Sequence, residues 1–350
     1  MKAFAATGRK PRQAKNRELL TIALIFVAWN GLATALNLWH GFWWAILAGN
    51  FALIVMLAER LGEYVPFKRQ DTYKQALALG FPVLLLITWE LIVNAAILNP
   101  RWFPPPTQIA GALWDLVVTY DRFNETSLIG RPWLIPTVFP EEGWQGVWRL
   151  IAEGHVWATV WRLLAGFAIG GAPALLIGML MGLNKTVRMM LDSTMSAIYV
   201  LPKIAIFPLM MLIFPNPFGE GPKIAVVAIS AFFLVAISTM AGVRGIDPVY
   251  LEAGRNYGAN RWQMLRHVII PGALPIIFSG LRLALGTALI VVVAVEFIRS
   301  QTGVGFLVFY HWQILVVDKM YAGLIVVMAL GVLLTAALQW IERRVMPWRK

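Results

Sequence analysis

The stretch that decides the fold is Tyr250–Pro275, YLEAGRNYGANRWQMLRHVIIPGALP, which lies between two apolar segments at 223–243 and 276–298. Each flanking segment has about the 20 apolar residues that a helix needs to cross the ~30 Å hydrocarbon core of a bilayer. The stretch between them is polar and basic, and it is interrupted by glycine and proline. We therefore interpret it as a structured connector between two membrane-spanning helices.

The composition supports a membrane protein over the whole chain. Of the 350 residues, 59% are hydrophobic and only 14% are charged, and the mean hydropathy is +0.68. Soluble domains average about 25% charged and about 45–50% apolar residues. The excess of apolar residues predicts an all-α polytopic membrane protein. The chain has no cysteine, which excludes disulfides, thiolate metal sites and cysteine nucleophiles.

Apolar runs of sufficient length predict eight membrane spans. The first two are joined only by Trp39-His40-Gly41, which predicts a helical hairpin. The start of the chain also resembles a cleavable signal peptide, with a basic tail and Ala33-Thr34-Ala35, but a second span follows directly and favours a retained hairpin. The predicted spans are 19–38, 42–59, 76–98, 157–183, 192–214, 223–243, 276–298 and 321–341.

Lysine and arginine predict the orientation, because cytoplasmic loops of membrane proteins carry an excess of both. Most of the 30 such residues lie in five regions that eight spans would place on one side. This distribution predicts that both termini are cytoplasmic, and it attributes the net charge of +12 to topology rather than to nucleic-acid binding. The five regions are the N-terminal tail, 60–75, 184–191, 244–275 and the C-terminal tail.

A long loop, 99–156, is predicted on the opposite side. It opens with Pro104-Pro105-Pro106, an extended element, and 107–120 predicts an amphipathic helix with Thr107 as its N-cap. Residues 121–148 are rich in Trp, Pro and Gly without clear secondary structure. Two interpretations remain open: a flap held at the membrane surface by tryptophans, here Trp133, Trp144 and Trp148, or a functional loop that meets a partner protein.

The connector itself, residues 246–275, has short-range signals for two helices. Asp247-Pro248 starts a helix, Gly258 suits the left-handed position that ends it, and Asn260 caps a second helix running to Ile270. Pro271 and Pro275 predict a break before the chain enters the membrane. The side chains expected to anchor the connector on the bundle are Leu251, Trp262, Leu265 and Val268.

The spacing within the connector resembles the EAA loop of permease subunits from binding-protein-dependent ABC importers. That motif runs Glu-Ala-Ala, three residues, Gly, nine residues, Ile-x-Leu-Pro. Here Glu252-Ala253-Gly254 is followed by Gly258 and then by Val268-Ile269-Ile270-Pro271 at the same intervals. The departures are Gly254, Val268 and Ile270, and the first raises the question of how stiff the first short helix is.

The flanks resemble the nitrate, sulfonate/taurine and bicarbonate branch of that family. The similar stretches are GVRGIDPVYLEAGRNYGA and GLRLALGTALIVVVAVEF around the connector, LPKIAIFPL at 201–209 and WELIVNAAILNPRWFPPPTQI at 89–109. The resemblance covers roughly 76–345. It implies a permease core at 76–350, with 1–75 (a basic tail plus the hairpin) and about 121–148 as additions.

The resemblance implies a type I ABC importer permease-like helical bundle of six core spans plus the hairpin, in a bacterial-type cytoplasmic membrane. Its expected partners are a second permease subunit in a homodimer, a cytoplasmic ATPase dimer and an extracytoplasmic solute-binding protein. ATP and Mg²⁺ belong to the ATPase, so this chain is expected to bind no cofactor or metal and to be no enzyme; it lacks a phosphate-binding loop. The residues implied in ATPase docking are Leu251, Glu252, Ala253, Gly254, Arg255, Tyr257, Gly258 and Ala259.

The expected solute is a small anion like nitrate, a sulfonate or bicarbonate. Three alternatives stay open: a neutral pyrimidine-type precursor, a stand-alone ion-coupled transporter, and a membrane enzyme, which would need a catalytic cluster. Ionisable residues within spans are functional candidates, and Lys203, Arg282 and Glu296 are the candidates for the translocation path. The simpler structural expectations for the other charges are that Glu90 and Arg162 snorkel to the membrane surface and that Arg282 points to the cytoplasmic interface. Pro202 and Pro208 are expected to bend the fifth span.

Overall fold

Helices dominate the computed structural model, which describes residues 12–122 and 124–348. Within these ranges there is no β-strand, only isolated bridges between Asp121 and Thr126 and between Ser127 and Gly154. The predicted all-α fold class is therefore confirmed. The chain packs as two compact units, the first ending at Gln108 and the second beginning at Ile109.

The first unit contains the predicted hairpin and a third long helix. Helices α1 (Arg12–Ala35) and α2 (Trp39–Gly62) are joined by a three-residue turn, and α3 (Gln70–Asn94) follows a short 3-10 turn. The amides of Asn30 and Asn50 hydrogen-bond each other across the hairpin at 2.8 and 3.0 Å. Polar side chains in lipid need such partners between helices, so this pair fixes the register of α1 against α2.

The second unit holds the remaining helices, the first of which, α4 (Pro106–Val118), starts at the end of the first unit. Its most buried spans are α9 (Glu220–Arg244) and α12 (Ile270–Arg299), which form the core with α6 (His155–Leu183). Side chains such as Leu163, Val227 and Val292 pack at their contact. The other helices are α5 (Ile135–Ala152), α7 (Lys185–Tyr199), α8 (Phe207–Ile213), α10 (Pro248–Asn256), α11 (Arg261–Met264), α13 (Val304–Gln313) and α14 (Val317–Val345).

Seven helices of the described residues are long and apolar enough to cross a membrane, or eight if one bent pair counts as a span. That pair replaces the predicted fifth span, 192–214: Lys185–Tyr199 and Lys203–Ile213 meet at 93°. The predicted bend is thus a complete break. Pro202 lies in the break because it cannot continue the helix of α7, whereas Pro208 stands in the first turn of α8 and bends nothing.

The loop predicted at 99–156 is more helical than its composition suggested. The amphipathic helix is confirmed as α4, but it begins at Pro106, and Thr107 is not its cap. Instead, Glu90 accepts hydrogen bonds from the Thr107 amide at 3.0 Å and hydroxyl at 2.8 Å. The expectation that 121–148 lacks secondary structure is wrong, because a 3-10 turn at Pro132–Leu134 is followed by α5, which fills the second half of this stretch with a kink at Gly143, where φ is +59°.

The break predicted at Pro271 and Pro275 is also wrong. The chain is helical without interruption over Arg261–Ile298. A five-residue π-helical turn, Leu265–Ile269, directly precedes α12. Proline lacks the N–H that an α-helix would donate four residues back, and the wider turn accommodates this loss, so the second helix of the connector continues directly into a spanning helix.

A row of small residues on α6 lets it pack directly on α9. A Cβ atom added at Gly170 would lie 2.0 Å from the Ala228 carbonyl oxygen, and one at Gly178 would lie 2.4 Å from that of Ala236. Gly166 and Gly182 meet Val227 and Val243 just as closely. Small residues at intervals of four allow this backbone approach in membrane helices, so the glycines of α6 serve helix packing.

The adjacent pair Gly170 and Gly171 tests this contact. Gly170→Ala should destabilise the protein by about 1–3 kcal/mol, since overpacking a tight contact displaces the backbone. Gly171→Ala is the matched control, because a Cβ there meets nothing within 4 Å. Thermal unfolding in detergent should show a lowered midpoint for the first variant only; equal midpoints would show that α6 and α9 are not in close contact.

Candidate functional site

The first helix of the connector is held at both ends by backbone geometry. Asp247 caps α10 by accepting a hydrogen bond from the Val249 amide at 2.9 Å, as predicted. At the other end Gly258 has φ of +75°. The Ala259 amide donates to the Gly254 carbonyl at 3.1 Å and the Gly258 amide to the Arg255 carbonyl at 2.9 Å, which is the Schellman arrangement that ends helices at a left-handed glycine.

A second fixed start follows at once. Asn260 accepts a hydrogen bond from the Gln263 amide, and the Gln263 side chain accepts one from the Asn260 amide, both at 2.9 Å. This reciprocal capping box satisfies two backbone donors at the start of α11. Gly258, which ends α10, and Asn260, which caps α11, are only two residues apart. The backbone conformation of this short turn therefore sets the angle between the two helices.

Packing joins the two short helices to each other and to the bundle. Leu251 and Ile269 contact a buried cluster that includes Ile246 and Ile277. A Cβ on Gly254 would lie 2.8 Å from the Met264 Cε atom, so the residue that departs from the Glu-Ala-Ala pattern is the one over which Met264 packs. The glycine therefore permits a closer contact between α10 and the second helix.

The remaining surface of the connector faces away from the protein. Tyr257 is 92% exposed, and Glu252, Ala253 and Arg255 are exposed as well, while Leu251, Gly254 and Ala259 are half-buried. The prediction that Trp262 anchors the connector is wrong, since its side chain is 65% exposed. It lies about 200° around the helix from Met264, the residue that packs on Gly254.

A buried charge network lies at the opposite end of α12. Glu296 is fully buried, and Arg162 of α6 is 2% exposed, so the expectation that Arg162 snorkels is wrong. Arg162 donates to the Glu296 carboxylate at 2.7 Å, to the Thr302 carbonyl at 2.7 Å and hydroxyl at 2.8 Å, and to Glu220 through both Nε and Nη2. The five N–H groups of a guanidinium are thereby all provided with acceptors.

The same network fixes the turn before α13. Glu296 also accepts hydrogen bonds from the Thr159 hydroxyl at 3.0 Å and the Gly305 amide at 2.8 Å. The Thr159 oxygen accepts from the Val304 amide at 2.8 Å, and His155 Nδ1 accepts from Gly303 at 3.1 Å. A polar row on α6 therefore binds the turn 302–305.

Sequence reasoning missed this turn and its partners. The available signal is the polar row at His155, Thr159 and Arg162, spaced i, i+4 and i+7 on one face of an otherwise apolar helix. Gly303 is required because φ is +116° and an added Cβ would lie 2.3 Å from the Glu296 carboxylate.

The charges in this network cancel. Lys223 is 3% exposed and donates to Glu220 at 3.1 Å, so two cations face two carboxylates. The network consequently offers no net positive potential to an anion. Glu296 is enclosed by hydrogen bonds to α6 and to the turn before α13. This environment indicates a structural role for Glu296 rather than a side chain that faces a solute pathway.

The other two path candidates have separate partners. Lys203 donates to the Tyr199 carbonyl at 2.7 Å and lies over the Tyr199 ring, at the break between α7 and α8. Arg282 pairs with Glu342 of α14 beside a cavity of about 250 Å³ that is also lined by Arg343. The structure does not bring Lys203, Arg282 and Glu296 into one cluster.

A polar cavity of about 450 Å³ lies among α4, α6, α13 and the loop near residue 126. Lys319 hydrogen-bonds Asp115 there and holds the pKa of that carboxyl below its usual value. The buried hydroxyls of Thr126 and Ser127 line the cavity without a hydrogen-bond partner. Within the described ranges no group of His, Cys, Asp and Glu side chains is arranged to hold a metal ion.

Residues 174–347, which include the connector, match the family model described as binding-protein-dependent transport system inner membrane component. The chain is 31% identical over 283 residues to the taurine transport system permease protein TauC of Escherichia coli (strain K12), covering 81% of this chain and 92% of the relative. The chain belongs to this family of ABC transporter permeases. The predicted resemblance is thereby confirmed.

Two further relatives lie in the same branch. One is the putative aliphatic sulfonates transport permease protein SsuC of Bacillus subtilis (strain 168), 28% identical over 77% of this chain and 86% of the relative. The other is the bicarbonate transport system permease protein CmpB of Synechococcus elongatus, 30% identical over 55% and 69%. Among solved structures, the inward-facing MetNI methionine ABC transporter is similar at 20% identity and a TM-score of 0.47, over 55% of this chain and 93% of that chain.

The buried network predicts a specific stability defect in this permease. Arg162→Ala should cost about 3–5 kcal/mol, because it leaves Glu296 buried without its cation. Arg149→Ala is the control: it removes an ion pair with Glu142 whose side chains are 59% and 42% exposed, worth at most about 1 kcal/mol. Thermal unfolding in detergent should separate the two variants clearly, and equal midpoints would refute the structural role of the Arg162 network.

Proposed function

We propose that this chain is the transmembrane permease subunit of an ATP-driven, binding-protein-dependent importer and forms the alternating-access pathway for a small solute. The observation that carries the proposal is the connector: its residues have the spacing of the family's EAA loop, and its two helices are fixed by the turn at Gly258. Family membership supports the same function. The connector is attached to α9 and α12, so a displacement of its exposed face acts on two core helices.

The partners follow from this role. A cytoplasmic ATPase dimer binds ATP and Mg²⁺ and receives the docking residues of α10 and the turn after it. A second copy of the permease completes the pore, and a solute-binding protein delivers the solute from the other side. The chain lies in the cytoplasmic membrane with both termini cytoplasmic, an orientation supported by the concentration of Lys and Arg in the regions on that side.

The solute is a small anion of the sulfonate or bicarbonate type. Relatives named for taurine, aliphatic sulfonates and bicarbonate support this class. The neutral charge balance around Arg162 supports anion selection outside that network, and we assign it mainly to the solute-binding protein. A neutral pyrimidine-type precursor is the alternative solute. A stand-alone ion-coupled mechanism is less well supported, because both acids of the network, the buried Glu296 and the exposed Glu220, are compensated by cations.

Gly258 provides the sharpest test of ATPase docking. Gly258→Val places a β-branched residue at φ of +75°, which strains the backbone even though nothing lies within 4 Å of the added Cβ. We expect loss of co-purification with the cognate ATPase and loss of ATP-driven uptake in proteoliposomes. Insertion and thermal stability of the permease alone should stay near those of the wild type, because the connector surface is exposed.

Lys185→Ala is the control at the exposed first residue of α7, and it should retain both uptake and ATPase association. Glu252→Ala tests the charge of the motif separately from the turn. Unchanged uptake in Gly258→Val would refute the docking role. Equilibrium binding of taurine, bicarbonate and uracil to the cognate solute-binding protein separates the anion class from the neutral alternative.

A further inference from the structure

The aromatic face of α5 and the start of α6 carries an inference beyond transport itself. We define this face by Trp144 and Trp148 of α5 and Trp157 and Trp161 of α6; these side chains are 70%, 56%, 38% and 54% exposed. We propose that α5 lies in the headgroup region of the bilayer and that this aromatic face contacts lipid. The helix then seats the loop 99–156 on the membrane surface.

The C-terminal half of α5 lies next to the point where α6 enters the membrane. Two residues separate the end of α5 at Ala152 from the start of α6 at His155. The rings of Trp148 and Trp157 are in contact, with 6.3 Å between their centroids. The loop before α5 is hydrogen-bonded to the first turn of α6. The His155 amide donates to the Ser127 carbonyl at 2.9 Å, and the Val156 amide donates to the Leu128 carbonyl at 3.0 Å. Since α6 is a membrane span, its first turn lies at an interface, and so does the C-terminal half of α5.

After the kink at Gly143, α5 presents three different sectors around its axis. Gly146, Val147 and Leu150 are buried in the protein. Trp144 and Trp148, one turn apart, form an exposed aromatic sector, and Gln145 and Arg149, also one turn apart, form an exposed polar sector. One sector for protein, one for lipid and one for water is the pattern of a helix that lies in the plane of an interface.

The aromatic face extends from α5 along the start of α6, which favours lipid as its occupant. Trp161 lies six residues, or about 9 Å, into the spanning helix, and the exposed surface continues from it to Leu164. A water-soluble partner would have to reach along the spanning helix toward the hydrocarbon region to cover that part of the face. Lipid covers it without such a cost, and tryptophan favours the headgroup level because its ring is apolar and its N–H is polar.

The absence of native cysteine makes a direct test possible. Single cysteines at Trp144, Trp148 and Gln145 in the full chain are spin-labelled and reconstituted in nanodiscs of phosphatidylethanolamine and phosphatidylglycerol. The accessibility of each label to oxygen and to a water-soluble nickel chelate gives its depth. The labels at 144 and 148 should lie about 5–10 Å below the lipid–water boundary, whereas the Gln145→Cys label, the matched control one residue away, should be exposed to the nickel chelate.

Other outcomes would overturn the proposal. Equal nickel accessibility at 144 and 145 would place the aromatic sector in water. Dipolar broadening between two labels at Trp144 would make it a contact between copies of this chain, and immobilisation only on addition of the solute-binding protein would make it a docking site for that protein. Because Trp→Cys changes could perturb the helix, a second measurement follows the quenching of tryptophan fluorescence by brominated lipid. Trp144→Phe and Trp148→Leu should each lose part of this quenching. Equal quenching in both variants and the wild type would contradict lipid contact.

Discussion

The interaction on which the rest of the second unit depends is the burial of Arg162. An arginine inside a spanning helix is tolerated only if its charge and its donors are satisfied within the protein. The structure meets this requirement with Glu296 and Glu220, and with the backbone and hydroxyl of Thr302. These acceptors come from α12, from α9 and from the turn before α13, so one side chain defines the mutual positions of four helices at one end of the bundle.

Arg162 can reach those acceptors only because α6 lies directly against α9. The small residues from Gly166 to Gly182 remove the side chains that would separate the two backbones. A polar anchor at one end of α6 and a close apolar contact along its length thus act on the same helix pair. The anchor supplies position, while the glycine row supplies packing, which is the main attraction between helices in lipid.

The parts of the molecule that could be predicted from sequence are those governed by short-range rules. Asp247, Gly258 and Asn260 each act on residues within five positions, and all three behave as their residue types require. The Arg162 partners lie 58, 134 and 140 positions away, and no local pattern specifies which acids a buried arginine will meet. The break predicted at Pro271 is wrong for a different reason. The π turn before it accommodates the missing proline N–H, which normally makes proline end a helix.

That continuity changes how motion can pass through the permease. With a break at Pro271 the connector would be a separate element on a hinge. Instead, the second helix of the connector begins at Arg261 and continues to Ile298, a length of about 57 Å at 1.5 Å per residue, and it carries Glu296 near its far end. Under the proposed ATPase docking, a displacement of α10 would act through the Gly254–Met264 contact on a helix whose opposite end is bound to Arg162. Gly254, the departure from the family pattern, is the position of α10 over which Met264 of this long helix packs.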